Sequence, residues 1–227
     1  MNRFNLAALL GVVVFAITLW LAAISPKQVA HPIEGDQRDP VLAFEMVRNG
    51  DELTAVIGES RLQYPELRNA IDQVNRIDYI YMTVYGAFIA IFFMAVAHQR
   101  RDQRWLVLSG IGIVALLADA RENMALLALT QDGVEATAFI HMLFVSTWIK
   151  WFALAIACGG AGFALFEDRS MPTLRLIGAI VGASAVGFTI AAYLDPVRAA
   201  PFMALAIFIT WVLQVIYAYR VGRTAAV

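Results

Sequence analysis

Six apolar stretches, each about as long as the roughly 20 helical residues needed to cross a 30 Å hydrocarbon layer, dominate this sequence. They run at 6–24, 78–97, 105–129, 137–166, 174–193 and 201–220. A backbone in lipid must satisfy its polar groups within the segment, so stretches of this length are read as helices. The expected fold is all-α: a polytopic membrane bundle of about six transmembrane helices, with a small helical cap outside the membrane between spans one and two. Residues 1–24 supply the first span, 25–77 the cap, and 78–227 a five-helix bundle ending in a cytoplasmic C-terminus. The first span could be a cleaved leader, but its apolar run reaches Ile24 and Pro26 follows where a peptidase would cut, so it reads as a retained anchor.

Composition agrees with a chain built for lipid. Charged residues make up 15% of it, against about a quarter in soluble domains. With a net charge of −1 and its basic residues scattered, the chain lacks the basic face that nucleic acid requires. The single cysteine, Cys158, has no partner for an intrachain disulfide and reads as a packing residue. Neither a metal nor a cofactor is expected. His141 has no second His or Cys at ligand spacing on its face, and no strand-to-helix context exists for a phosphate loop.

Orientation follows from the basic residues in the short connections. With the N-terminus inside, Arg3, Arg100, Arg101, Arg104, Arg169, Arg175, Arg220 and Arg223 are cytoplasmic, whereas of the short outer connections 130–136 has no basic residue and 194–200 has only Arg198. The expected location is a bacterial-type inner membrane with both termini cytoplasmic and the long 25–77 connection outside. That connection predicts a helix from Asp39 to Gly50 with Pro40 in its first turn. A second helix follows, N-capped by Asp51, running through Ile57 and ended by Gly58. From Pro65 the helical pattern continues unbroken into span two.

Ionisable groups inside a span cost roughly 2.5–3.5 kcal/mol each on insertion scales, so they face the bundle interior and find partners. In span three, Asp119, Glu122 and Asn123 recur at i, i+3 and i+4 and share one helical face, while Arg121 points elsewhere. A short connection makes spans three and four antiparallel neighbours, and a hairpin centred on Gly133 brings Thr147 opposite Asp119 and Lys150 within reach. Lys150 is therefore expected to pair with Asp119 or Glu122, leaving one carboxylate in surplus. In span two, Asp78, Tyr81 and Tyr85 at i, i+3 and i+7 face the same depth. Ser146, one turn before Lys150, has the spacing of a Ser/Lys nucleophile pair, although membrane Ser and Thr more often serve packing. Gly178 and Gly182, with Gly159, Gly160 and Gly162, suit close helix crossing.

The function expected from this pattern is binding or transport of a small polar, cationic or lipid-headgroup ligand. Its pocket would open outward and be lined by Asp78, Tyr81, Tyr85, Asp119, Glu122, Asn123 and Lys150. Two alternatives stand beside it: an intramembrane enzyme acting on a lipid or lipid-linked substrate, and an accessory subunit of a membrane complex. The expected partners are accordingly membrane lipids, such a ligand, or another membrane protein.

Overall fold

A computed structural model of the chain describes residues 2–32, 35–36 and 38–224. Eight helices follow in order: α1 (Arg3–Ile24), α2 (Pro40–Glu45), α3 (Gly50–Ile57), α4 (Pro65–Arg100), α5 (Trp105–Leu129), α6 (Ala136–Glu167), α7 (Pro172–Leu194) and α8 (Pro196–Thr224). Five of them, α1, α4, α6, α7 and α8, are long and apolar enough to cross a membrane. The sixth long helix, α5, carries Asp119, Arg121 and Glu122 and packs between α4 and α6, which shelter its charged face. The protein is a multi-pass helical membrane bundle.

Packing follows chain order and then closes on itself. Each long helix lies against the next, α8 returns to α1, and α1 lies against α4. Also in contact with α8 is α6, so α7 sits at the periphery. Lipid offers no hydrophobic force between helices, so contact rests on shape, and small residues let backbones approach. At the α6–α7 crossing a Cβ on Gly162 would lie 2.6 Å from the Gly178 carbonyl oxygen, and one on Gly182 would lie 2.7 Å from that of Cys158. Cys158 is buried beside this crossing.

The end opposite the cap is apolar and aromatic inside. Phe4, Phe92 and Tyr217 meet edge to face at centroid separations of 6.0 to 6.4 Å, the geometry that ring quadrupoles favour. Its rim holds the N-terminus of α1, the α4–α5 and α6–α7 connections and the C-terminus of α8, and so collects the arginines singled out by their loop positions.

At the other end sits the cap. The helix starting at Asp39 is shorter than expected, six residues, because Asp39 caps it and the chain leaves helical geometry at Met46. Nor is Asp51 the cap of the second helix. Asn49 takes that place, accepting from the Glu52 amide at 2.9 Å while the Glu52 carboxylate accepts from the Arg48 amide at 2.9 Å. The helix starts at Gly50, where Asn49 and Glu52 cap it reciprocally, and Asp51 becomes a first-turn acid at the positive end of the helix dipole. Gly58 ends α3 at φ +75 with the Tyr64 ring packed where a Cβ would be, so only glycine fits. As expected, α4 is continuous over 36 residues; at about 1.5 Å per residue it is some 54 Å long and extends well beyond a 30 Å hydrocarbon core. The last transmembrane helix begins at Pro196 rather than near 201, with Pro201 inside it at the cost of one backbone hydrogen bond.

Two arginines fasten the cap to the bundle. Buried Arg68 uses all three guanidinium nitrogens, donating to the carbonyls of Ile57 (3.1 Å), Gly58 (2.7 Å) and Thr130 (3.0 Å) and to Asp132 (2.9 Å). Arg61 donates to Asp72 at 2.6 Å and to Asn69 at 2.7 Å, and Asp72 accepts in turn from the Thr130 hydroxyl at 2.5 Å.

Candidate functional site

Helix periodicity puts Asp119, Glu122 and Asn123 on the buried side of α5 and leaves Arg121 exposed on the other. Across from them α6 presents Lys150, whose side chain is only 6% exposed. Its Nζ lies 2.7 Å from Glu122 Oε2 and 3.4 Å from Asp119 Oδ1, so it meets both acids rather than one. From α4, the Tyr85 hydroxyl donates to Asp119 Oδ2 at 2.6 Å, and Asp78 Oδ2 accepts from Asn123 Nδ2 at 2.7 Å. Tyr81, on the same side of α4, accepts from the Thr18 hydroxyl of α1 at 3.2 Å. All seven residues picked out by spacing come together. Glu122 Oε1, in a fully buried side chain, has no hydrogen-bond partner.

One charged member was missed. Glu45, at the end of α2 in the cap, reaches down to place Oε2 3.0 Å from Lys150 Nζ, and the Thr147 hydroxyl of α6 donates to the Glu45 carbonyl at 3.1 Å. The cap is therefore not merely resting on the bundle; it contributes a carboxylate to its interior. Burial holds the Glu45 carboxyl above its ordinary range, with the Lys150 charge opposing that rise. A signal existed: Glu45 is the one ionisable residue between Asp39 and Arg48, amid Leu42, Phe44, Met46 and Val47, all of them buried.

The charges do not balance. Glu45, Asp119 and Glu122 each lie within 3.4 Å of one nitrogen, and Asp78 adjoins them through the shared cavity. Carboxylates held that way crowd within about 6 Å of one another, and each like pair costs about 3 kcal/mol at an effective dielectric near 20. Against these four acids stands one ammonium, because Arg121 faces outward.

Comparison with known protein families, curated proteins and solved structures returns no match.

Beside the cluster is a cavity of about 470 Å³. Its inner wall carries Glu45, Asp78, Tyr81, Tyr85, Asp119 and Lys150; its other wall is Thr18, Leu19 and Ala22 of α1 with Ala204, Leu205, Ile207, Phe208 and Trp211 of α8. Of the seven expected residues, Glu122 and Asn123 do not line it; they stand behind Lys150 and Asp78 and hold them in place. Trp211 was not anticipated: its ring stacks on Tyr85 at 5.6 Å and lies 6.5 Å from Tyr81. Ser146 is buried with no hydrogen-bond partner for its hydroxyl and lies outside the cavity wall. Nζ of Lys150 is engaged by three carboxylates, which leaves no base poised on that hydroxyl. His141 is exposed, and among the described residues no group of three His, Cys, Asp or Glu side chains is arranged to hold a metal ion; the three carboxylates that gather here surround the Lys150 ammonium.

Proposed function

We propose that this protein binds, and in doing so can move, a small ligand bearing positive charge, either a polar cation or a lipid headgroup, in the cavity beneath the cap. The observation that carries the reading is the excess of carboxyls over ammonium at a 470 Å³ space: Glu45, Asp78 and Asp119 share its wall with one lysine, Lys150, and Glu122 stands behind that lysine. Buried charge of one sign is tolerated only when protons or a counter-ion neutralise it. A cation arriving and a proton leaving are equivalent for such a site, so ligand binding is coupled to proton release. The arginine-rich rim opposite the cap supports an orientation with both termini cytoplasmic and the cap outside, in a bacterial-type inner membrane. The ligand is then taken from the outward side.

Native mass spectrometry of the full chain in nanodiscs tests the reading. Wild type is expected to retain selected lipids or added cations that Glu122→Gln loses. Identical, unselective spectra for the two proteins would sink it.

A further inference from the structure

The geometry points to a membrane amphiphile with an ammonium head as the ligand, entering sideways from the lipid through a crevice between α1 and α8; this rests on the cation-binding reading above. The two helices are zipped together over the half away from the cap. Asn2 Nδ2 donates to the Gly222 carbonyl at 2.8 Å, and Phe15 packs edge to face on Phe208 at 5.3 Å. From Thr18 onward the cavity lies between them instead, with Thr18, Leu19 and Ala22 on one side and Ala204, Leu205 and Phe208 on the other. Above, the cap is tied down through Glu45, held by both Thr147 and Lys150.

What the cavity exposes and what it conceals differ in kind. Its exposed lining residues are all apolar: Leu19 at 72%, Leu205 at 54%, Phe208 at 40%, and Ala22. Each ionisable one is half-buried or buried. A mouth with such lips, in the side of a membrane bundle, opens to acyl chains rather than to water. A free polar cation would have to cross those lips dehydrated. An amphiphile would not, since its tail matches the lips while its head reaches the acids.

The inner end is suited to an ammonium in particular. Tyr81, Tyr85 and Trp211 present three rings within 6.5 Å of one another beside Asp78 and Asp119, the combination of ring faces and negative charge that holds alkylated ammonium groups. The protein already makes this contact with its own ammonium: Lys150 Nζ lies 5.0 Å from the centroid of the Trp151 ring at the cavity wall.

Equilibrium binding to the full chain in maltoside micelles, with protein-free micelles as the partition blank, tests the inference with two probes. Dodecyltrimethylammonium is expected to bind saturably and at least about tenfold more tightly than tetramethylammonium, because part of its chain is buried at the lips. Ala204→Trp, which fills the crevice, is expected to abolish the saturable binding of the long-chain probe, whereas Ala204→Ser keeps it; melting temperatures confirm that both variants fold. Equal affinities for the two probes, or wild-type binding by Ala204→Trp with its fold intact, would overturn the sideways-entering amphiphile and leave the cation reading standing. Competition by dodecanol as effective as that by unlabelled dodecyltrimethylammonium would show that the head is not recognised and would overturn it too. If neither ammonium probe binds, the cation reading falls with it.

Discussion

Two clusters of charge, one at the cap boundary and one inside the bundle, are built to opposite accounts. At the cap boundary Arg61 and Arg68 face Asp72 and Asp132, two against two, and Arg68 also takes three backbone carbonyls. Within the bundle one lysine faces four carboxyls, and Glu122 keeps an oxygen without a partner. The first cluster balances in charge, and its buried arginine, Arg68, is hydrogen-bonded at every guanidinium nitrogen, as expected of a fastening. The second is incomplete, though it lies deeper, where incompleteness costs more. A fold retains such a deficit where something else fills it, which is why the second cluster and not the first is the candidate site.

The sharpest way to break this contrast is Lys150→Met. Removing Lys150, the one ammonium this four-carboxyl cluster has among the described residues, is expected to cost about 3–5 kcal/mol at neutral pH, read as unfolding in mixed micelles. Much of that loss should be recovered in acid, where protons replace the ammonium. A loss that persists unchanged at low pH would mean that the acids are not the source of the penalty.

Arg68→Met is the matching test of the fastening, expected to cost about 3 kcal/mol because it strands the Ile57 and Gly58 carbonyls and takes one of two donors from that of Thr130. No acid rescue is expected, since protons cannot serve carbonyl oxygens. Limited proteolysis should then cut the cap between 25 and 64 before the bundle. If Arg68→Met abolishes probe binding with the cap still intact, the division of labour drawn here is wrong.

Glu45 joins the two regions and gives a smaller effect. Its carboxyl is raised by burial, so the folded protein holds a proton there at pH values where the unfolded chain has released it. The associated stability is present in acid and is lost as pH rises from the ordinary carboxylate range through the raised folded value. Glu45→Gln should flatten that decline, by no more than about 1.4 kcal/mol per pH unit for one proton. Melting temperatures followed from pH 4 to 8 give the answer, and an unaltered slope would remove Glu45 from the cluster's titration.

Ser146→Ala should change least. The hydroxyl is buried and unpartnered, so losing it is expected to leave stability within about 0.5 kcal/mol of wild type and binding unchanged. Loss of a cellular lipid conversion in this variant, its fold intact, would instead favour the intramembrane enzyme.

Much of the site was legible because it obeys helical periodicity. Asp119, Glu122 and Asn123 share a face at any tertiary arrangement, and a short connection obliges α5 and α6 to run side by side, so Lys150 could be placed near the acids by counting residues. Glu45 and Trp211 could not be found that way. Each is about 75 or more positions from Asp119 along the chain, and no local spacing relates one helix to a loop segment folding back over it or to a helix closing the ring. Local capping also decided where α3 starts, with Asn49 rather than Asp51 as its cap.

The sequence by itself determined that this chain is a membrane helix bundle, which polar residues of spans two, three and four share a face, and that the acids there outnumber their cation. Those properties depend on segment length, hydropathy and a 3.6-residue period, all local. Only the tertiary structure decided that the cap lowers a fourth carboxyl into the bundle, and that α1 and α8 part near the cap to leave a cavity with apolar lips. These depend on how distant surfaces fit, and shape complementarity between helices in lipid is not written in the period of any one of them.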